Sequence, residues 1–385
     1  MSRTTTLAQR PPMGWNSWNC FRNSTVNGAA LLEVAQAIVD SGMRDAGYEY
    51  VVLDDHWQAS RRDSTGRLQA DSSRFPDGIA ALADSVHALG LKFGIYSVPG
   101  STTCGQYYDG YPAEGIGSLG YEALDAETFA DWGIDFLKYD WCRAHLNDGL
   151  EASAAFARMC HELDETGRDI LYSISEYGLF RPWEWAPAFA NMWRTTDDLH
   201  ADWGSLSSTI SQQLPISGRS RPGGWNDPDM LQVGNGSLTD AEMRTHLSVW
   251  AITNAPLMSG NDLRSLTDSV ADLLTNRTFL TIDQDWGGSA GTIYGHYHPF
   301  VDIWTKPMST GGRSIALVNM HDDPCTVDLR PHLDTELQSG SYLEAWSGHE
   351  FTLDEFAHIS LAPHDALLLM PKEVTTAPDS APTTR

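Results

Sequence analysis

From about Gly14 to Asp283 the chain alternates eight times between short apolar runs and longer amphipathic ones. Such alternation describes a parallel sheet with its helices outside, and eight is the number of units that closes a (β/α)8 barrel. The predicted strands are 13–18, 50–55, 92–97, 135–140, 170–176, 192–198, 224–230 and 255–260. Between them the period changes from two to 3.6. Leu31, Leu32, Ala35, Ile38 and Val39 share one helical face, as do Ile79, Leu82, Val86 and Leu89, with Gly90 as the stop. Asp125 reads as an N-cap with Gly133 ending its helix, and Thr239 with Glu242 has the spacing of a capping box. Past Gly291 the pattern shifts to short runs between turn residues, which predicts an antiparallel β-sandwich. The expected division is therefore an α/β barrel over 1–290, a sandwich over 291–372, and a disordered Thr/Pro/Ala-rich tail over 373–385.

Carboxylates recur where these strands end. Asp54 and Asp55 end the second, Asp140 the fourth, Glu176 the fifth, Asp198 the sixth and Asp229 the seventh. A strand buried on both faces has no ordinary use for a charge, so acceptors at its C-terminal end point to a polar ligand at the barrel mouth. A single pair such as Lys138 with Asp140 reads equally well as a structural rim pair. Acceptors at five strand ends do not, because each buried charge carries a desolvation cost. Two carboxyl groups facing one opening are what glycoside hydrolysis needs, one to protonate the leaving oxygen and one to attack carbon or activate water. Asp140 and Asp198 form the predicted pair. Lys138 lies on the same strand face as Asp140 and should keep it ionised, and Arg194, four residues before Asp198, offers a two-pronged donor to a hydroxyl or carboxylate.

Charge and motif content narrow the partners. Lys and Arg number 25 against 51 Asp and Glu, a net charge of −26 that repels nucleic acid and anionic membranes and suits a neutral small molecule or oligosaccharide. No GxGxxG follows a strand, no GK[ST] occurs, and no His pair has metal-ligand spacing, His296 and His298 falling between the two predicted domains. Neither a cofactor nor a metal is expected. Five scattered cysteines do not make a disulfide framework. Residues 1–10 lack an apolar core for export, so the chain is expected to be cytoplasmic, and the sequons at Asn23, Asn235 and Asn276 to be unmodified. The sequence is compatible with a homo-oligomer.

The motifs Pro12-Met-Gly-Trp-Asn-Ser-Trp18, Leu53-Asp-Asp-His-Trp57, Gly94-Ile-Tyr96, Leu137-Lys-Tyr-Asp140, Trp193-Arg194 with Asp198, and Gly223-Gly-Trp-Asn-Asp-Pro-Asp-Met230 appear in that order. Over residues 11 to 372 the chain resembles glycoside hydrolase family 27, the retaining α-galactosidases and α-N-acetylgalactosaminidases. The resemblance implies that Asp140 is the nucleophile and Asp198 the acid/base. It also implies that Trp18 lines the apolar face of the sugar, that Asp54 and Asp55 accept from O4 and O6, and that Lys138, Arg194 and Asp229 hold O2 and O3. Tyr96 and Glu176 match further pocket positions. Cys104 and Cys142 match a pair that the family usually bonds, and in a reducing compartment that bond is not to be assumed, so the pairing stays open. Glu176 and Leu179 stand where N-acetylgalactosaminidases carry small residues, so an acetamido group should clash. The chain departs from relatives after Tyr96, in a longer loop over 105–120, at Trp141 and at His56, which leaves the outer subsites open. An exo-acting α-galactosidase is the expected activity. β-L-arabinopyranosidase, found in the same family, is the alternative, and a sugar-binding protein without catalysis is a further one.

Overall fold

The computed structural model describes residues 7–22, 26–297, 300–352 and 354–372. The predicted tail and the sequon at Asn23 lie outside these, as do His298 and most of the N-terminal segment.

All eight predicted barrel strands are present: β1 Met13–Asn16, β2 Tyr50–Leu53, β3 Lys92–Ser97, β4 Phe136–Asp140, β5 Leu171–Ser175, β6 Met192–Arg194, β7 Trp225–Asp227 and β8 Leu257–Ser259. They form one parallel sheet in the order β7-β6-β5-β4-β3-β2-β1-β8, and a parallel bridge between Leu231 and Ser259 brings its two edges together. Most observed strands are shorter than predicted because pairing stops as the chain turns out towards the mouth. The carboxylates fall on those turns, except Asp140, which is the last residue of β4. Val52, Phe136, Leu171, Met192 and Met258 meet inside the barrel. Gly94 makes room there, since a Cβ on it would stand 2.8 Å from Val52 Cγ2 and 3.0 Å from Phe136 Cβ.

The helices around the sheet follow the predicted faces. In Gly28–Asp40, Leu31, Ala35 and Ile38 are buried and Asn27 caps the first turn; in Gly78–Ala88 the buried set includes Ile79, Leu82 and Val86. Thr239 and Glu242 make the expected reciprocal capping box. Asp125 corrects its prediction. It lies inside the helix Glu122–Asp131, fully buried, with both oxygens taken by the Arg62 guanidinium. A residue of N-cap type can serve a distant cation instead, and sequence spacing does not distinguish the two.

Six antiparallel strands follow, in the order Glu350–Phe351, Tyr342–Glu344, Ala366–Pro371, Arg313–Asn319, Val301–Pro307, Thr292–Tyr297, with a smaller pair of Cys325–Val327 and Ile359–Leu361. His296, expected in a connection, lies in the edge strand and pairs with Asp302 at 2.6 Å. The helix Asp240–Thr253 is buried over nearly its whole circumference because it packs against the C-terminal sheet as well as the barrel. One apolar core thus continues from Trp250 and Ile252 into Trp304, Val318 and Leu368. No helix among the described residues is long and apolar enough to cross a membrane.

Candidate active site

A cavity of about 690 Å³ opens at the C-terminal end of the barrel strands. Trp18, Asp54, Asp55, Tyr96, Cys104, Lys138, Asp140, Leu179, Asp198 and Asp229 all line it. Parallel register brings some of these together: Tyr96 is paired with Lys138, and Asp140 with Ser175, so Tyr96 and Lys138 project at one level and Asp140 lies one step nearer the mouth.

Asp140 is nearly buried. Its Oδ1 accepts from the Tyr177 hydroxyl at 2.5 Å and from the Trp141 backbone N–H at 2.9 Å, and Oδ2 lies 3.7 Å from Cys104 Sγ. Burial pushes its carboxyl up to about 6, opposed by the Lys138 charge and the Tyr177 hydrogen bond and reinforced by Asp198 and Asp54. Lys138 favours the ionised Asp140, as expected, but without a hydrogen bond to it. Its ammonium donates to Asp54 Oδ2 at 2.7 Å and reaches Asp140 by charge alone. Burial would discharge Lys138, but Asp54 and Asp140 hold it firmly protonated.

Asp198 is the opposite case. Its side chain is 56% exposed at the rim, and Arg194 Nη2 lies 3.2 Å from its Oδ1. The surrounding cavity wall still desolvates its carboxylate although the side chain reaches solvent, an effect that Arg194 and Lys138 outweigh, and the carboxyl is held below the ordinary range. Arg194 is itself buried beneath the cavity wall, where Nη1 lies 3.0 Å from Asp229 Oδ1, so one guanidinium braces two wall carboxylates. Asp229 Oδ2 accepts from Leu199 N–H at 2.7 Å.

On the other side Asp54 Oδ2 also accepts from Asn16 Nδ2 at 2.7 Å, and Asp55 accepts from the N–H groups of His56 at 2.8 Å and Gly105 at 2.7 Å. That last bond needs glycine. A Cβ on Gly105 would stand 2.0 Å from His56 Nε2. Cys104 and Cys142 are disulfide-bonded, which settles in this structure a pairing that the sequence left open. Cys104, Asp140 and Cys142 gather potential ligand atoms within 4.8 Å of one another, but the S–S bond leaves no thiolate to offer a metal.

Glu176 corrects its prediction. It is wholly buried, does not line the cavity, and accepts from the backbone N–H of Phe180 at 2.7 Å; burial pushes it up to about 8 against the N–H groups of Phe180, Gly178 and Leu179. The cause lies one residue later. Tyr177 has φ +63°, which breaks the two-residue alternation after β5 and turns the tyrosine, not the glutamate, towards Asp140. Tyr177 was missed because nothing in a sequence marks that backbone state. Asn16 and Asp197 were also missed, although each lies close in sequence to a residue that was singled out.

Residues 10–285 match the family model described as alpha galactosidase A, and residues 300–370 match that of the alpha galactosidase C-terminal beta sandwich domain. The alpha-galactosidase of Cyamopsis tetragonoloba is 40% identical over 339 residues, 88% of this chain and 79% of that one. Alpha-galactosidase I from Mortierella vinacea superimposes with a TM-score of 0.85 at 32% identity, covering 95% of this chain and 98% of its own. A β-L-arabinopyranosidase from Geobacillus stearothermophilus has a TM-score of 0.83 over 96% and 98% of the two chains, at 24% identity, a likeness of fold alone.

Proposed function

The chain belongs to glycoside hydrolase family 27 and is a galactose-releasing glycosidase, an α-galactosidase, and from that premise we propose that it works by double displacement with net retention, Asp140 as nucleophile and Asp198 as acid/base. The observation that carries this reading is the asymmetry of the two carboxylates. Asp140 sits on the cavity floor with one oxygen pinned by two donors, which leaves Oδ2 to attack the anomeric carbon. Asp198 stands half-exposed at the rim, where the leaving group departs and water enters. It protonates the departing oxygen, then takes a proton from the water that opens the galactosyl–Asp140 ester. Trp18 offers a ring to the apolar sugar face, and Asp54, Asp55, Lys138 and Asp229 supply acceptors and a donor for its hydroxyls.

Proton NMR of the first turnovers tests the stereochemistry: retention gives α-galactose first, and a β-first product would overturn the double displacement. Asp140→Asn should lower kcat by at least about 10⁴-fold. The intact Asp54/Asp55 pair favours galactose over L-arabinopyranose, which lacks the hydroxymethyl group, so the nitrophenyl α-galactoside should be cleaved faster than the nitrophenyl β-L-arabinopyranoside.

A further inference from the structure

The galactose-binding groups occupy the floor of the cavity, but its outer part is built differently. Among the described residues seven large hydrophobic side chains are exposed, and six of them, Tyr107, Tyr108, Tyr121, Leu146, Leu179 and Phe180, lie on the segments after β3, β4 and β5. Those segments flank the strand that carries Asp140. Tyr108, 63% exposed, and Leu179, 60% exposed, both line the cavity wall. An isolated exposed tyrosine needs no explanation, but a cluster at the mouth of an acidic pocket does.

Tyr108 is also held still. It ends the short helix Cys104–Tyr108, whose first turn carries a reciprocal capping box between Thr103 and Gln106 and whose first residue is bonded to Cys142. Its ring packs edge-on against Tyr107 with centroids 4.8 Å apart. Tyr107 in turn lies under the Arg143 guanidinium, 4.7 Å from its ring centre, and accepts a hydrogen bond from it. Arg143 reaches there because Cys142 and Arg143 both adopt positive φ directly after the strand of the nucleophile. An exposed ring fixed in this way binds without a large ordering cost.

We propose that Tyr108 is the stacking platform of a second sugar subsite, receiving the neutral ring to which the terminal galactose is attached. This rests on the galactosidase activity and assigns the ring contact of the leaving group to one residue on this chain's own loop. The wall is acidic on balance, seven aspartates against Arg22, Lys138 and Arg143, so it disfavours an anionic leaving group, and Asp109 and Asp197, on the same lining as Asp198, accept from the hydroxyls of a neutral one while its C–H face lies on the tyrosine. Leu179, on the far side of β4, supplies a second apolar contact.

The test compares melibiose, whose leaving group is a glucose ring, with methyl α-D-galactopyranoside, whose leaving group has no ring. Tyr108→Ala should lower kcat/KM on melibiose about tenfold and leave the methyl galactoside within twofold, and Tyr108→Phe should retain the melibiose rate. Equal losses on both substrates would make the residue a support for the galactose site and overturn the platform, as would an unchanged melibiose rate. A Phe variant as impaired as the Ala variant would assign the effect to the hydroxyl, not the ring face, and would overturn it too. Wild-type protein inert towards both sugars would instead overturn the galactosidase reading, a result seen before any variant is made.

Discussion

The Tyr177 hydroxyl donates to Oδ1 of Asp140 at 2.5 Å, so it is this tyrosine, and not the neighbouring Glu176 expected in the pocket, that faces the cavity. It stabilises the ionised form of Asp140, yet burial is the larger effect and the carboxyl stays up at about 6. Asp198, beside Arg194, is held below the ordinary range. In the free enzyme the pair therefore loses its first proton from Asp198 and its last from Asp140. That order is the reverse of the working assignment, in which Asp140 must be ionised and Asp198 protonated, so the productive form is a minor share of the singly protonated pair.

The pH profile of kcat/KM follows from that order. Singly protonated enzyme is most abundant at acidic pH, between the two steps. Above about 6 the last proton leaves the pair and none remains to place on the leaving oxygen, so kcat/KM should fall about tenfold per pH unit. At strongly acidic pH the rate should fall again as the second proton is taken up. Initial rates at low substrate from pH 3 to 9 measure both limbs, and a plateau extending through pH 8 would rule out this proton order.

Replacing Tyr177 by Phe removes a donor to the charged carboxylate, which raises the Asp140 step further. Its alkaline limb should move to higher pH while the plateau of kcat/KM drops roughly ten- to a hundredfold, the range for a hydrogen bond to an ion. A tyrosine that only packed against the wall would lower the plateau and leave the limb in place, so the position of the limb decides.

Much of this site was legible because barrel chemistry collects at strand ends. Phe136, Leu137 and Tyr139 mark β4, and a charge at its exit has little to do but face the mouth, which is why Asp140, Asp54 and Asp229 could be read from sequence. The failures share one cause. Asp125 is paired with Arg62, 63 residues away, and no local pattern carries that partnership. Glu176 and Tyr177 exchanged roles through one positive φ on a non-glycine residue. Lys138 had the expected direction, but the bond to Asp54 is a cross-strand contact that spacing along one strand does not determine.

Glu176 is a pH-dependent liability for the fold. Burial raises its folded-state value from 4.5 to about 8, so the folded protein holds a proton that the unfolded chain has lost. Stability from that proton is fully present below about 4.5 and is lost as pH rises through 8, by at most about 1.4 kcal/mol per pH unit. Glu176→Gln has no such proton to lose and keeps an oxygen for the Phe180 N–H. Urea midpoints should match wild type near pH 4.5 and exceed it at pH 8.5, with KM unchanged. A variant less stable at pH 8.5, or one with a raised KM, would show that the carboxylate has a charged or sugar partner after all.

The Cys104–Cys142 bond couples stability to the geometry of the mouth. It joins residues 38 apart, a span for which the chain-entropy account gives about 4 kcal/mol, or roughly 5 °C in melting temperature for a chain of 385 residues. Its local effect is more specific, because the residue after Cys104 is Gly105, whose N–H holds Asp55, and Tyr108 closes the same short helix. Losing the bond should therefore loosen the Asp55 side of the galactose site and raise KM severalfold, while kcat falls less because Asp140 keeps its contacts with Tyr177 and Trp141. The Cys104→Ser/Cys142→Ser double variant, assayed at a temperature where both proteins are folded, separates these effects. A melting temperature lowered with KM unchanged would mean that the bond serves the fold and that Asp55 is positioned without it.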